Sequence, residues 1–389
     1  RKESSAASDV YKRQEVFDEK NKYYVSKDNN PITASLRKLH NYIKSKLIVG
    51  VCSSFKEKIN ILDISFGRGG DIQKYIQRDA NAKFILGLDI SSNITEACER
   101  YYNERKDKPK AVFLVADTSQ KFSKGDCFEN VDATEKEIKH SETMLNILYN
   151  NNKPVPKEYK KIHKKFNNLA LKKFNVISSQ FSLHYYFEDE ASFEGLMNNI
   201  KSNIAPGGYF IGTCYDGNQI FNMLRDSGDQ EFKDLNDSLI YSIEKKYDID
   251  DFTFNPENFD NIFGQKIDVY MESIGQVITE YLVNFKFLKQ YMEQNGFKLM
   301  SPTVKKKYSN IFKKDYINDD GFGDFEKVIN NLPQLLEGDK ELQAKGYYEK
   351  SMEILKNSVL DDEGNITELG NEKLRILSSL NNYFIFKKV

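Results

Sequence analysis

The sequence predicts a doubly wound α/β domain, in which helices cover both faces of a mostly parallel sheet. From about residue 59 to residue 117, short apolar runs alternate with helical patterns, which is the order of elements in such a domain. Each apolar run is almost unbroken, as expected of strands that are buried on both faces. The 389 residues allow one large domain or two ordinary ones. Because no internal repeat and no clean linker is visible, we expect one α/β domain that carries insertions.

The predicted elements follow one another in a regular order. Helices are predicted for residues 31–51, 71–78, 92–105 and 189–203, the first because apolar residues recur there every three or four positions. The five predicted strands have the sequences INILDIS, KFILGLDI, AVFLVAD, FNVISSQ and APGGYFIGTC. Beyond Gly217 the pattern is less regular, with strand-like QKIDVYMES and YLVNF, a helix in FLKQYMEQNGF and a C-terminal strand in NNYFIFKKV.

Two stretches are expected to lie outside this pattern. Residues 1–22 begin with Arg1 rather than Met and include ESSAASDVYKRQ, which looks unrelated to the rest of the chain. We interpret them as a non-native or disordered leader and place the domain at residues 23–389. Residues 118–168 are rich in Lys, Asn, Glu and Ser, so we interpret them as a mostly helical or mobile surface insertion. Such a segment should bury little apolar area and be dispensable for chemistry.

Composition limits the classes of protein that fit. The formal net charge of −1 argues against a basic face over the whole surface, so a nucleic acid would be held at a local site. The four cysteines form no Cys-x-x-Cys pair, which argues against zinc and a disulfide framework and favours a reducing, intracellular compartment. No run of about 18 apolar residues occurs, so no membrane span is predicted.

A cofactor site is predicted at the ends of the first three strands. Ser65, Gly67 and Gly70 match the G-x-G-x-x-G fingerprint with serine in the first position. Asp89 ends the second strand about 20 residues later, where it would bind ribose hydroxyls, and both NAD and S-adenosylmethionine carry that ribose. Asp117 ends the third strand, where a carboxylate can accept from an adenine amino group, and this favours S-adenosylmethionine. The alternative is that both aspartates only cap the following turns.

Seven motifs follow one another along the chain, namely NYIKSKLI, ILDISFGRGGDIQKY, LGLDIS, LVADTS, SSQFSLHYYFEDE, PGGYFIGTC and TEYLVNF. Together they resemble the mRNA cap guanine-N7 methyltransferases, especially those inside the capping enzymes of large DNA viruses. The glycine-rich motif is common to many methyltransferases, whereas QFSLHYYFE followed about 95 residues later by EYLVNF is far more specific. The resemblance implies a class I S-adenosylmethionine-dependent methyltransferase fold, Rossmann-like, with insertions on the cap-binding side.

The resemblance also implies partners and a location. The expected substrate is 5′-capped mRNA, and fusion to or association with triphosphatase and guanylyltransferase domains is expected. The Lys-x-Asp-Gly motif of guanylyltransferases does not occur in these residues, so that activity is not expected here. The location would be the nucleus, the cytoplasm, or a viral factory or virion.

The resemblance implies a set of contacts to S-adenosylmethionine. Lys44 would hold its carboxylate, and the backbone around Ser65 and Gly67 would approach its methionine part. Asp89 would bind the ribose, and Asp117 would bind the adenine. Two further residues would line the cofactor near its sulfonium, namely Gln180 and Tyr185.

A second set of residues is implied to contact the cap. His184 and Tyr185 would lie over the joint between methyl donor and guanine, Glu280 would bind the guanine edge, and Tyr215 would stack on the base. The helix residue Asn41 would lie near the cap, and so would Arg68 and Asp71 of the glycine-rich motif, with Arg68 meeting a cap phosphate. The family pattern implies a cap-contacting tyrosine near the C-terminus; its register falls on Asn381, and Tyr383, two residues on, is the candidate.

The implied reaction needs little chemistry from the protein. Guanine N7 has an in-plane lone pair, and the sulfonium is already an activated methyl donor. We therefore expect no general acid, general base, covalent nucleophile or metal, and catalysis by positioning and electrostatics through His184, Tyr185 and Glu280. The alternatives are an S-adenosylmethionine-dependent methyltransferase of another substrate and a non-catalytic module of the same fold. An NAD dehydrogenase fits least, because no hydride-transfer acid is recognisable.

Overall fold

The structure, a computed structural model, describes residues 33–104, 107–233, 237–257, 259–331 and 368–389. The predicted leader at residues 1–22 lies outside the described residues. The helices are α1 (Ala34–Ser53), α2 (Ile72–Tyr75), α3 (Ile94–Tyr102), α4 (Glu135–Tyr149), α5 (Lys160–Phe166), α6 (Glu190–Asn203), α7 (Gly217–Ser227), α8 (Phe285–Gln294), α9 (Phe325–Asn330) and α10 (Glu368–Ser379). The strands are β1 (Ile59–Asp63), β2 (Ala82–Asp89), β3 (Lys110–Val115), β4 (Phe174–Gln180), β5 (Ile204–Tyr215), β6 (Gln230–Lys233), β7 (Leu239–Lys245), β8 (Lys266–Met271), β9 (Val277–Tyr281), β10 (Phe297–Leu299), β11 (Gly323–Asp324) and β12 (Asn381–Lys388).

The main sheet has the strand order β10-β12-β5-β4-β1-β2-β3, and β11 pairs with β12. The five strands from β3 to β5 are parallel, whereas β12 runs antiparallel to both β5 and β10. One face of the sheet packs against α4, α6 and α8, and the other packs against α1, α3 and α9. The five predicted strands are all present, and the predicted doubly wound α/β fold is confirmed.

The segment at 118–168 contains a helix that packs into the core, whereas the sequence predicted a helical or mobile element on the surface. Helix α4 begins at a capping box, in which the Thr134 hydroxyl and the Glu137 side chain each bond to the backbone of the other residue. Its second half buries an apolar stripe that includes Leu145 and Leu148, both fully buried in the core. The Ser141 hydroxyl also accepts a hydrogen bond from the backbone of β3, at Val115. The expectation of a surface insertion with little burial is therefore wrong for α4, which is a crossover helix between β3 and β4.

A second sheet lies beside the first and was only partly predicted. It is antiparallel with the order β6-β7-β8-β9. Strand β9 ends at Tyr281, earlier than the predicted strand YLVNF, because Asn284 begins α8 by accepting a hydrogen bond from the backbone of Phe287. The predicted helix at 71–78 is also shorter, since Gln77 adopts an extended ψ of 145° and ends it. The second sheet matters for the site because β9 carries Glu280.

Candidate active site

The candidate site lies at the carboxyl edge of the parallel strands, where the doubly wound fold brings strand ends together. Asp63 and Asp89 are the last residues of β1 and β2, and Gln180 is the last residue of β4. Strand β12 is antiparallel, so its first residue reaches the same edge, where Asn381 pairs with Tyr215 at the end of β5. The chain order of these elements explains why residues more than 300 positions apart meet here.

The glycine-rich loop after β1 folds over the end of β2. The Phe66 ring stacks on Phe113 with centroids 4.5 Å apart, and its backbone nitrogen donates to the carbonyl of Leu88 at 2.9 Å. Gly67 has a φ of +51°, a conformation that favours glycine, and its nitrogen donates to Asp89 Oδ2 at 2.7 Å. A Cβ added at Gly67 or Gly70 would meet no atom within 4 Å. The loop therefore presents its backbone to open space, as a nucleotide-type ligand requires.

Both predicted cofactor aspartates cap the turns that come after them. Asp89 Oδ1 accepts from the nitrogen and hydroxyl of Ser91 at 3.0 and 2.6 Å, and burial raises the pKa of Asp89. Asp117 Oδ1 accepts from the nitrogen and hydroxyl of Ser119 at 2.9 and 2.6 Å. A carboxylate offers about four acceptor positions. With the bond from Gly67 included, about one position is left on Asp89 and about two on Asp117, so turn capping and ligand binding are compatible.

Lys44 and Asp71 form an ion pair with each other. Lys44 Nζ lies 2.9 Å from Asp71 Oδ1, and Lys74 Nζ lies 2.7 Å from the same oxygen. Lys74 Nζ also donates to Asn41 Oδ1 at 3.0 Å. Burial alone would raise the pKa of Asp71, but the two ammonium groups hold it at about 2. The structure thus joins Asn41, Lys44 and Asp71 through Lys74, a residue that the sequence did not single out.

Arg68 lies beside this cluster but is directed along α3. Its Nε lies 3.0 Å from Glu96 Oε2, and the other Glu96 oxygen pairs with Arg100 at 2.5 Å. About 30% of the Arg68 side chain is exposed. A phosphate would therefore have to compete with Glu96 for this guanidinium.

Gln180 is held rigidly by its neighbours. Its Oε1 accepts from the Thr213 hydroxyl at 3.1 Å, and its Nε2 donates to the Ser178 hydroxyl at 3.0 Å. The next residue, Phe181, has a φ of +53°, a costly conformation for a residue with a side chain, and its nitrogen donates to the Thr213 carbonyl at 2.8 Å. This sharp turn leads into the short 3₁₀ helix Leu183–Phe187, which carries the predicted cap residues.

His184 and Glu280 meet in the interior although about 95 residues separate them. His184 Nε2 lies 3.5 Å from Glu280 Oε1, and both side chains are at least 93% buried. Burial lowers the pKa of His184 to about 3 and raises the pKa of Glu280 to about 8. At neutral pH the imidazole is therefore uncharged and the carboxyl is mostly protonated, so the pair is not an ion pair.

This pair leaves buried polar atoms unpartnered. His184 Nε2 and Glu280 Oε2 have no hydrogen-bond partner within the described part of the chain. Buried polar atoms in native proteins are nearly always satisfied, so this pair is a candidate place for a polar ligand. The Tyr185 ring packs edge-on against His184 at 4.2 Å, and the Tyr215 ring lies 6.3 Å from it.

The assignment of Tyr383 to the cap site is wrong. Tyr383 is 1% exposed, and its hydroxyl donates to the carbonyls of Ile311 and Tyr316 at 2.5 and 3.3 Å. It pairs with Thr213, two residues further into the sheet than the site edge. Asn381 occupies the edge instead, and its Oδ1 is buried without a hydrogen-bond partner among the described residues.

Two features of the site were missed in the sequence. The Tyr186 hydroxyl lies 2.5 Å from the Thr118 hydroxyl and 3.2 Å from Ser65 Oγ, so it ties the glycine-rich loop to the segment after β3. Ile90 comes directly after Asp89 and is 47% exposed, which provides an apolar surface beside the predicted ribose position. The second tyrosine of the LHYYF motif was the available signal for Tyr186. An exposed isoleucine beside a polar strand end has no comparable signal.

Two further properties of the described ranges concern metals and membranes. Within these ranges, no cluster of three or more His, Cys, Asp or Glu side chains has a geometry that could hold a metal ion. Over the same residues, no helix is both long enough and apolar enough to span a bilayer.

Comparison with known proteins decides the family. The family model described as "mRNA (guanine-N(7))-methyltransferase domain" matches residues 2–151 and 155–367. The chain belongs to this family. The resemblance inferred from the motifs is thereby confirmed, and with it the class I methyltransferase fold.

Individual relatives agree with the family assignment. The chain is 28% identical over 389 residues to a "Probable mRNA-capping enzyme" of Acanthamoeba polyphaga mimivirus, covering 94% of this chain and 28% of that protein. It is 25% identical over 289 residues to the "mRNA cap guanine-N(7) methyltransferase" of Drosophila melanogaster, covering 72% of this chain and 56% of the relative. The chain thus spans between about a quarter and somewhat more than half of these relatives. A putative S-adenosylmethionine-dependent methyltransferase from Listeria monocytogenes superposes with a TM-score of 0.36 at 13% identity, over 90% of this chain and 96% of that one.

Proposed function

We propose that this chain transfers a methyl group from S-adenosylmethionine to N7 of the guanine cap of mRNA. The observation that carries the proposal is the Glu280 carboxyl, which is buried beside His184 and has an unpartnered Oε2. Guanine presents two adjacent donors, N1–H and the exocyclic amino group, and the Glu280 carboxyl, once deprotonated, presents two acceptors with matching spacing. Adenine presents a lone pair at N1, which the carboxylate would repel. A guanine edge would satisfy the Glu280 carboxyl, and family membership supports the same substrate.

The cofactor residues lie along the same edge of the sheet. We propose that the backbone at Ser65 and Gly67 approaches the methionine part and that Lys44 holds its carboxylate. Asp89 would use its remaining acceptor position on the ribose, and Asp117 would accept from the adenine. Gln180 and Tyr185 would lie nearest the sulfonium. The cofactor carboxylate would share the Lys44 ammonium with Asp71, and it would neutralise the net charge of +1 that Lys44, Lys74 and Asp71 carry together.

The chain's contribution to catalysis is positioning. Glu280 would orient the purine edge, while His184 and Tyr185 would enclose the line along which the methyl group moves. Tyr215 would stack on the base, and Asn41, Arg68 and Asp71 would face the rest of the cap. S-adenosylmethionine supplies an activated methyl group when bound. As the purine gains positive charge, a nearby carboxylate stabilises it more than it stabilised the neutral base.

The chain is proposed to act as one methyltransferase domain at residues 23–389, within a larger intracellular capping apparatus. Its coverage of only 28% of the mimivirus capping enzyme supports fusion to, or association with, triphosphatase and guanylyltransferase domains.

The test uses GpppA-capped RNA with labelled S-adenosylmethionine, followed by nuclease digestion and scoring of 7-methylguanosine. ApppA-capped RNA of the same sequence is the matched control. Label in 7-methylguanosine from GpppA and none from ApppA is the expected result. Label at another position, or equal labelling of both RNAs, would assign the chain to a different methyl acceptor.

A further inference from the structure

A strongly basic surface lies at the end of the sheet that is remote from the candidate site. Residues 153–173 contain eight lysines and one glutamate, a formal charge of +7. The whole chain carries −1, so the remaining residues carry −8. All eight lysines are exposed. We name this basic surface by six of them: Lys157, Lys160, Lys164, Lys165, Lys172 and Lys173.

The basic surface is built on α5 and the turns around it. Lys157, Lys160 and Lys164 occur at spacings of three and four residues, which places them along one side of the helical segment. None of these three has a carboxylate within ion-pair distance among the residues that the structure describes. The charge is therefore not neutralised by the fold itself.

Aromatic groups are interleaved with these lysines. The Phe166 ring is half-buried at the end of α5, with Lys165 Nζ 5.1 Å and Lys110 Nζ 6.0 Å from its centroid. Lys110 Nζ also donates to the carbonyl of Lys165 at 3.1 Å, which fixes α5 to the start of β3. Lysines that surround an aromatic ring are typical of surfaces that bind a single nucleic-acid strand along its length.

The position of the surface relative to the candidate site suits a chain that continues beyond a cap. Lys110 is the first residue of β3, whereas Asp117 lies just beyond the last, so the two ends of this strand are about 20 Å apart. A single strand that leaves the cap pocket has to extend over the side of the domain to reach α5. Single-strand binding sites commonly hold about 4–16 nucleotides, which is enough for such a path.

We propose that the basic surface binds the phosphate backbone of the RNA downstream of the cap. The proposal rests on the proposed function, because it assigns the body of the same capped substrate to this surface. Charge complementarity selects the occupant: RNA carries one negative charge per nucleotide, and lysines that bind it release counterions. The sequence of the RNA would not matter, since phosphate contacts carry no base information.

The experiment compares the full chain with the triple variant Lys157→Gln/Lys160→Gln/Lys164→Gln. The matched control is Lys306→Gln/Lys313→Gln/Lys314→Gln, which removes the same charge from exposed positions that adjoin the opposite face of the sheet. Substrates are a capped dinucleotide and capped RNAs of about 5, 10, 20 and 30 nucleotides. Binding of an uncapped RNA of about 20 nucleotides is measured separately by fluorescence anisotropy over a range of salt concentrations.

The basic-surface variant should raise KM for the long capped RNA by about tenfold or more while leaving the dinucleotide unchanged. A plot of log affinity against log salt should become less steep, with the magnitude of its slope about 2 smaller than for the parent. Each of the three lost phosphate contacts on a single strand contributes about 0.7 to that magnitude. The control variant should match the parent in every measurement. Parent-like length dependence and salt slope in the basic-surface variant would overturn the proposal and leave an acidic protein as the occupant. If the parent fails to methylate either cap but anisotropy still separates the two variants, the proposed function fails and the RNA surface stands.

Discussion

Substitution of Glu280 gives the sharpest test of the guanine pocket. Glu280→Ala removes both acceptors that would face N1–H and the exocyclic amino group. Two hydrogen bonds that involve a charged partner contribute about 1.5–3 kcal/mol each, so a loss of at least about 3 kcal/mol is expected. This corresponds to a fall in kcat/KM of about a hundredfold or more on GpppA-capped RNA. Glu280→Gln keeps the shape of the side chain but directs its amide NH₂ group at one of the two guanine donors. Its kcat/KM should therefore fall as well.

Cofactor affinity should hardly change in either variant. Glu280 lies on β9 of the second sheet, whereas the proposed cofactor residues Gly67 and Asp89 lie in the loop after β1 and at the end of β2 in the main sheet. Calorimetric titration with S-adenosylmethionine on each variant checks this separation. Glu244→Gln, at a more exposed position on β7 of the same second sheet, is the matched control and should behave as the parent does.

The pKa of Glu280 adds a test that needs no substrate. Its folded pKa of about 8 lies above its ordinary value of 4.5 because burial disfavours the charged carboxylate. A raised folded pKa contributes stability that is fully present below pH 4.5 and is lost as the pH rises through about 8. The free energy of unfolding of the parent should therefore fall, relative to Glu280→Gln, by several kcal/mol across that window, at about 1.4 kcal/mol per unit of pKa difference. Urea denaturation at a series of pH values measures the difference.

One combination of results would show that Glu280 does not bind the cap guanine. Both Glu280 variants would have to fold, bind S-adenosylmethionine as the parent does, and methylate capped RNA at near-parent kcat/KM. The carboxyl would then be a buried group without a role in cap binding.

Three further predictions concern other parts of the chain. Asp89→Ala should weaken S-adenosylmethionine binding by about 2–4 kcal/mol in calorimetry, and unchanged affinity would leave Asp89 as a turn residue only. Replacement of residues 135–149 by a Gly-Ser linker should abolish folding, and a cooperatively folded replacement variant would contradict the packing of α4. Leu145→Ala alone should lower the free energy of unfolding by about 2–5 kcal/mol in urea denaturation. Tyr383→Phe should lower the free energy of unfolding by about 1–3 kcal/mol, because two buried carbonyls lose their donor, with KM for capped RNA unchanged; a raised KM at unchanged stability would return Tyr383 to the cap site.

The strand-end residues were predictable because chain order alone determines their positions. Once an apolar run is recognised as a parallel strand, the polar residue that ends it must lie at the carboxyl edge, and Asp89 and Gln180 do so. The burial of helix α4 in the core was not predicted, because its apolar stripe is short and is surrounded by polar residues that dominate the composition. In the C-terminal strand, Asn381 and Tyr383 are two positions apart, so their side chains lie on the same face but about 6–7 Å from each other along the strand. This distance places Asn381 at the site edge and Tyr383 in the interior.

The titration behaviour of the groups around His184 agrees with catalysis by positioning. A general acid or base at neutral pH needs a pKa near 7, but burial holds the pKa of His184 at about 3, so its imidazole stays neutral. The pKa of His40 is likewise held at about 3 by burial and by Lys44, and its Nε2 is engaged with the Ser378 hydroxyl at 2.7 Å. The Cys214 thiol beside His184 has its pKa raised well above the ordinary value by burial, so it remains protonated and is a poor nucleophile.

Glu280 is the group near His184 that titrates close to neutrality, and methylation at N7 requires no proton transfer. The kcat/KM of the parent should therefore rise with pH toward about 8, as Glu280 becomes a carboxylate able to accept both guanine donors, and the profile of Glu280→Gln should lack that rise.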